Sequence, residues 1–199
     1  MAVTGPYLTR WPDVDIDVRT TFRFDGVDAL RAHEIDLLAT PDPIHAPDLR
    51  FVPTFDYELR LIVPEAHPLA QRDHVVAEDF VAETLFTLPV GVERLDIYSR
   101  VLVPADCRPS RRVEIGTPEL MLQLVSANRG ITVMPDWLVA ESGSGLPVRS
   151  IRIGEKGLQK SINLGFREKD NQTDFIVAFV EMAKRTPAPI SLSNFMRPV

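Results

Sequence analysis

Proline sets the grain of this chain. There are 17 in 199 residues, and they stand one by one at the ends of apolar runs, as at Pro41, Pro64, Pro89 and Pro104, without clustering into a polyproline tract. Proline cannot donate to a sheet ladder and breaks a helix interior, so many short elements joined by tight turns are expected. Hydrophobic residues at 45% and charged ones at 25% exclude disorder and fibre and leave one large domain or two small lobes. No apolar run approaches the roughly 20 residues of a membrane-spanning helix. The opening Met1–Pro6 lacks the apolar core of a secretory signal, so a soluble, cytoplasmic protein is expected, with no membrane partner.

Alternation marks the first strand, since Val14, Ile16 and Val18 alternate with Asp13, Asp15, Asp17 and Arg19 at the period of a half-buried strand. A short helix over 27–32 and a buried strand over 35–40 follow. Two β-rich runs, 49–55 and 57–63, precede a helical turn at 77–81, a strand over 84–88 and a helix over 93–103. After a strand at 112–115 comes the clearest helix start, with Thr117 as N-cap, Pro118 at the first helical position and Glu119 in the first turn. Gly130 is read as its left-handed stop. A strand at 131–134, a helix from Pro135 to about Glu141, a hairpin of 148–153 with 159–167, and a helix around 175–182 complete the pattern. Alternating strands and helices argue for an α/β fold, and two successive sets suggest two lobes with a cleft between them.

Several chemistries are missing. No G-x-S-x-G, Walker, dinucleotide-binding or H-E-x-x-H sequence occurs, so no catalytic residue, cofactor or metal site is expected. The histidines His33, His45, His67 and His74 show no i,i+4 pairing, and the single Cys107 excludes an internal disulfide and a multi-cysteine metal site. Net charge is −6, whereas a self-sufficient duplex-DNA binder carries a basic face. Phe22, Phe24, Phe51 and Phe55 are read as strand-borne core residues.

The run Glu119–Pro135, ELMLQLVSANRGITVMP, closely resembles the second-lobe signature of LysR-type transcriptional regulators. Trp11-Pro12-Asp13-Val14, Asp36-Leu37-Leu38, Phe55–Leu59 and His67–Ala70 continue in family order. Within the family, Thr40–Pro43, Phe55–Leu59, Glu93–Ile97 and Pro135–Trp137 look like the regulators of methionine biosynthesis that respond to homocysteine. The resemblance implies a two-lobed, periplasmic-binding-protein-like effector domain over 11–185. Lobe I would take about 11–84 plus a return at about 165–185, lobe II about 85–164, and 186–199 a tail. Residues 1–10 are read as non-conforming. The winged helix-turn-helix, linker helix, and first strand and helix of a complete regulator are not recognised before Trp11, so the domain is expected to be N-terminally truncated. Contact with DNA and RNA polymerase would come only through a complete regulator, and homo-oligomers are expected. The rival reading is a two-lobed solute-binding protein of transport, against which the lack of a signal sequence speaks.

Ligands of open α/β sheets bind beyond the carboxyl ends of strands. The expected effector-binding residues are therefore Thr40, Pro41, Asp42 and Phe55 from the first lobe. From the second they are Leu88, Pro89, Val90, Gly116, Thr117, Met134 and Trp137. The start of the Thr117 helix suits a carboxylate, Asp42 or Glu93 an α-amino group, and Met134 and Trp137 a thiol-bearing side chain. Losing a first strand would expose sheet edges, so this chain is expected to melt earlier and associate more readily than a complete sensing domain. A monodisperse species with a sharp thermal transition in a side-by-side melt would count against that expectation.

Overall fold

The computed structural model describes residues 3–19, 26–143 and 145–186. In chain order its first elements are helices α1 (Thr4–Arg10) and α2 (Gly26–Arg31), then strands β1 (Leu38–Thr40), β2 (Leu49–Pro64), β3 (His74–Val75), β4 (Thr84–Thr87) and β5 (Arg111–Glu114). Helix α3 (Pro118–Ser126), strand β6 (Ile131–Pro135), helix α4 (Asp136–Ser142), strands β7 (Val148–Ile153) and β8 (Leu158–Arg167), and helix α5 (Asp174–Arg185) follow. The described residues divide into two compact units. Those of Met1–Asp56 and Lys160–Ala188 form a discontinuous unit, and Tyr57–Gln159 a contiguous one.

The contiguous unit is built on a sheet whose two faces are both covered. Its strands run in the order β7, β2, β6, β4, β5. β2 is antiparallel to β6 and β7, while β4 is parallel to both β6 and β5. Successive residues of a strand point to opposite faces, and burial follows that rule. Leu61, Val63, Leu85 and Ile131 enter one core with Phe80, Tyr98 and Leu102, whereas Ile62, Phe86 and Met134 enter another with Met121, Leu122 and Val125 of α3. Double coverage explains why the runs read as continuously apolar. Each fully buried Leu, Ile or Val contributes about 1.5–3 kcal/mol through lost water contact.

Charge is buried only where it is met. Glu58 on β2 is 6% exposed and lies 3.5 Å from the guanidinium of Arg60 and 3.2 Å from that of Arg152. In the discontinuous unit β8 lies between β1 and β2, with Leu38↔Gly165 and Thr40↔Asn163 in antiparallel register. A Cβ on Gly165 would sit 2.4 Å from the Phe51 ring, so only glycine lets the strands close there. Leu164 and Phe166 pack on Ile176, Val180 and Ala183 of α5. Arg167, 7% exposed, donates to the carbonyls of Leu30 and Ile35 at 2.9 and 2.7 Å and to Asp36 at 2.6 Å. It thereby ties the end of α2 and the approach to β1 to the end of β8.

Several expectations change. Residues 1–10, read as non-conforming, contain α1, whose buried Tyr7 donates to the Phe175 carbonyl at 2.9 Å and meets Phe179 edge to face at 5.0 Å. Val14 and Ile16 are half-buried between exposed aspartates, but Val18 is 62% exposed, and residues 14–19 form no strand because no described strand offers them a ladder. The strand expected over 35–40 shortens to β1 and is half-exposed. It pairs on one side only among the described residues. The two runs 49–55 and 57–63 are one strand, β2. Helix 93–103 breaks into a 3-10 turn at Val92–Arg94 and a wide turn at Tyr98–Leu102. The hairpin of 148–153 with 159–167 does not form: β7 pairs with β2 and β3, β8 with β1 and β2. Asn128, at φ 57, takes the left-handed position assigned to Gly130. Gly130 is needed because a Cβ would lie 2.4 Å from the Thr84 carbonyl oxygen. Residues 57–84, expected with lobe I, lie in the contiguous unit, where Leu61, Leu69, Val75 and Phe80 share one core. Phe22, Phe24 and the tail beyond 186 fall outside the described residues.

If α1 is docked through Tyr7, Tyr7→Phe costs about 1 kcal/mol through the lost hydrogen bond and Tyr7→Ala about 3 kcal/mol through the added cavity, read from urea midpoints. Wild-type midpoints for both variants would show that α1 contributes nothing to stability.

Candidate functional site

Three parallel strands of the contiguous unit end at one edge. Thr87 of β4 stands opposite Glu114 of β5, and Phe86 opposite Thr132 of β6, so residues 88–90, 115–117 and 136–137 all leave the sheet on the same side. The expected second-lobe residues Leu88, Pro89, Val90, Gly116, Thr117 and Trp137 are thus brought to a single edge. Gly116, Thr117 and Pro89 are exposed, and Leu88, Val90 and Trp137 half-buried. Met134 differs, being 3% exposed and packed in the core under α3, so it backs this edge from inside.

Thr117 occupies the N-cap position of α3 with extended backbone angles, but its side chain makes no capping hydrogen bond. The free N–H groups of the first turn and the positive end of the helix dipole remain at that end. Trp137 Nε1 is buried without a hydrogen-bond partner, a donor that an acceptor arriving from outside would satisfy. Asp136, 3% exposed, accepts the Trp137 backbone N–H at 2.8 Å and fixes the start of α4.

One residue that sequence reasoning passed over orders this edge. Arg112 on β5 donates through Nε to Thr87 Oγ1 at 2.9 Å, and through Nη2 to the carbonyls of Leu88 and Val90. It lies 3.1 Å from Glu114 and 5.9 Å from the centre of the Tyr98 ring. An arginine two residues before an acid inside a strand was the available signal.

In the discontinuous unit, Thr40, Pro41 and Asp42 follow β1 as expected, and Phe55 lies half-buried on β2. Thr40 Oγ1 accepts the Asp42 N–H at 3.1 Å. Asp42 is 2.7 Å from the ammonium of Lys160, a second residue sequence reasoning missed, whose side chain is only 13% exposed. The charge of Asp42 is therefore already met by a cation, and Glu93 sits exposed on its turn. Within the discontinuous unit a groove of about 650 Å³ has Pro43, Ile44, His45, Phe51 and Asn163 in its wall.

The remaining chemistry is structural. Among the described residues no group of three potential metal ligands occurs and no helix is long and apolar enough to cross a membrane. His67 Nδ1 accepts the Leu69 N–H at 3.3 Å while Nε2 lies 3.3 Å from Glu83. Cys107 is half-buried, and desolvation, with Glu78 and Asp106 nearby, pushes its thiol pKa up. Less thiolate is then present at neutral pH. Cys107 is expected to react with iodoacetamide more slowly than free cysteine at pH 7.5 and to gain rate as pH rises through the alkaline range. Mass spectrometry showing faster alkylation than free cysteine would contradict this.

Comparison with known proteins gives the arrangement its context. The family model of the LysR substrate binding domain matches residues 1–188. The HTH-type transcriptional regulator MetR of Escherichia coli K12 is 34% identical over 175 residues, which cover 87% of this chain and 54% of that protein. MetR of Salmonella typhimurium is 33% identical over 179 residues, covering 89% of this chain and 56% of that one. The chain thus spans about half the length of the curated relatives it matches. The regulatory domain of MetR, a LysR family regulator from N. meningitidis, superposes with TM-score 0.80 at 31% identity, covering 92% of this chain and 85% of that chain.

Proposed function

Because the chain belongs to the LysR substrate binding domain family, we propose that it is the effector-sensing part of a regulator of methionine biosynthesis, responding to homocysteine or a related amino acid. Its mixed α/β fold is that of LysR effector-binding domains, which are periplasmic-binding-protein-like, and the relatives are transcriptional regulators, not enzymes. The observation that carries the reading is the common edge of β4, β5 and β6, where the exposed Thr117 hydroxyl, the α3 N-terminus and the unpartnered Trp137 indole N–H present donors. Donors and a positive dipole end suit the carboxylate of an amino acid. Thr40, Pro41, Asp42 and Phe55 would supply the first-lobe contacts. Leu88, Pro89, Val90, Gly116, Thr117 and Trp137 would supply those of the second, with Met134 behind them. The Asp42–Lys160 pair offers both signs of charge to a zwitterion.

Sensing of this kind requires that the effector bind one state of the domain better than another. In this reading that preference reaches DNA and RNA polymerase through an oligomer of the complete regulator. The MetR relatives favour the regulator over the transport protein.

Titration calorimetry of the chain with L-homocysteine, L-methionine and L-cysteine tests the proposal. Saturable binding of homocysteine without product in the mass spectrum is expected. Thr117→Val should weaken it about two- to tenfold, the worth of one hydrogen bond. Silence toward all three amino acids, or product formation, would overturn the reading.

A further inference from the structure

The geometry points to Arg112 as the positioning residue of the effector edge: its guanidinium pins the Leu88–Val90 turn so that the turn is already ordered when an amino-acid effector arrives. This rests on the reading of that edge as the effector site. Val90 N–H donates to the Leu88 carbonyl at 2.8 Å across Pro89, and the carbonyls of both Leu88 and Val90 also accept from Arg112 Nη2. Proline contributes no N–H, so this stretch has few hydrogen bonds of its own and takes its shape from the cation behind it. Thr87, 5% exposed, holds Nε at 2.9 Å, Glu114 stands 3.1 Å from Nη2, and the Tyr98 ring lies within cation–π range.

Thr87, Leu88, Val90 and Glu114 are all met by the Nε and Nη2 side of one planar guanidinium. A lysine brings one compact ammonium that cannot serve them together. Arg112 need not touch the ligand: a loop ordered beforehand does not have to be ordered at the moment of binding, and that saving appears as affinity. Helix α3 starts at the same edge from the end of β5, the strand that carries Arg112, so the fork sets the spacing between the turn and Thr117.

The test compares Arg112→Lys with Arg152→Lys, a control that disturbs a different arginine, the partner of Glu58 on β7. Thr87→Val, which removes one acceptor and keeps the cation, is the milder second variant. In the ligand-free chain, hydrogen exchange of the peptide spanning 86–92 is expected to rise about tenfold in Arg112→Lys, by less in Thr87→Val, and not at all in Arg152→Lys. The dissociation constant for L-homocysteine should rise about tenfold in Arg112→Lys and stay unchanged in Arg152→Lys. Wild-type exchange in Arg112→Lys overturns the proposal, as does an equal loss of affinity in the control. If the wild-type chain gives no heat with homocysteine, the effector reading falls, while the exchange result still decides whether Arg112 holds the turn.

Discussion

Burial on both faces of one sheet is the constraint from which the contiguous unit follows. Leu61 and Ile62, adjacent in β2, enter different cores, as do Leu85 and Phe86 in β4. A one-residue slip in any of these strands would send each side chain into the wrong core, so register is fixed by packing. Fixed register in turn brings Thr87 level with Glu114, and this is why the segments after β4, β5 and β6 leave at one edge. The candidate site is thus a product of the core, and Arg112 reaches across from β5 to hold the turn that the core leaves unsupported.

Much of the fold was legible because its signals are local. The Thr117-Pro118-Glu119 start of α3, the Pro135-Asp136 start of α4, and proline at the end of β2 all rest on backbone chemistry that needs no distant partner. What was not legible depended on partners. The alternation at Val14, Ile16 and Val18 has the right period but no ladder among the described residues. The turn between Gly154 and Gly157 looked like a hairpin, yet the strands on either side pair elsewhere, because β2 is long enough to take β7 along one part and β8 along another. Helix α1 escaped notice because Gly5 and Pro6 are poor helix formers. Its support comes from Tyr7 docking on α5, at the far end of the chain.

The same division holds at the candidate site. Residues that follow strand ends could be named in advance, since that rule uses order along the chain alone. Met134, expected as a lining residue, stands behind the edge: Thr132, two residues earlier, turns its hydroxyl inward, to the Phe86 carbonyl at 3.0 Å, and the same face of β6 carries Met134 into the core. Arg112 and Lys160 were passed over because their hydrogen-bond acceptors lie 22 to 118 residues away, and Glu114, two residues after Arg112, was the one local sign.

One consequence concerns the order in which the molecule can be completed during synthesis. All strands and core residues of the unit at Tyr57–Gln159 lie in one stretch of chain, so its cores can close as soon as that stretch has left the ribosome. The other unit draws on both ends. Val52 and Leu37 pack against Leu164, Phe166 and α5, and Tyr7 waits for Phe175 and Phe179. Until α5 emerges, Tyr7, Leu37 and Val52 keep their apolar side chains uncovered, a vulnerable interval of the kind in which nascent chains aggregate or engage chaperones.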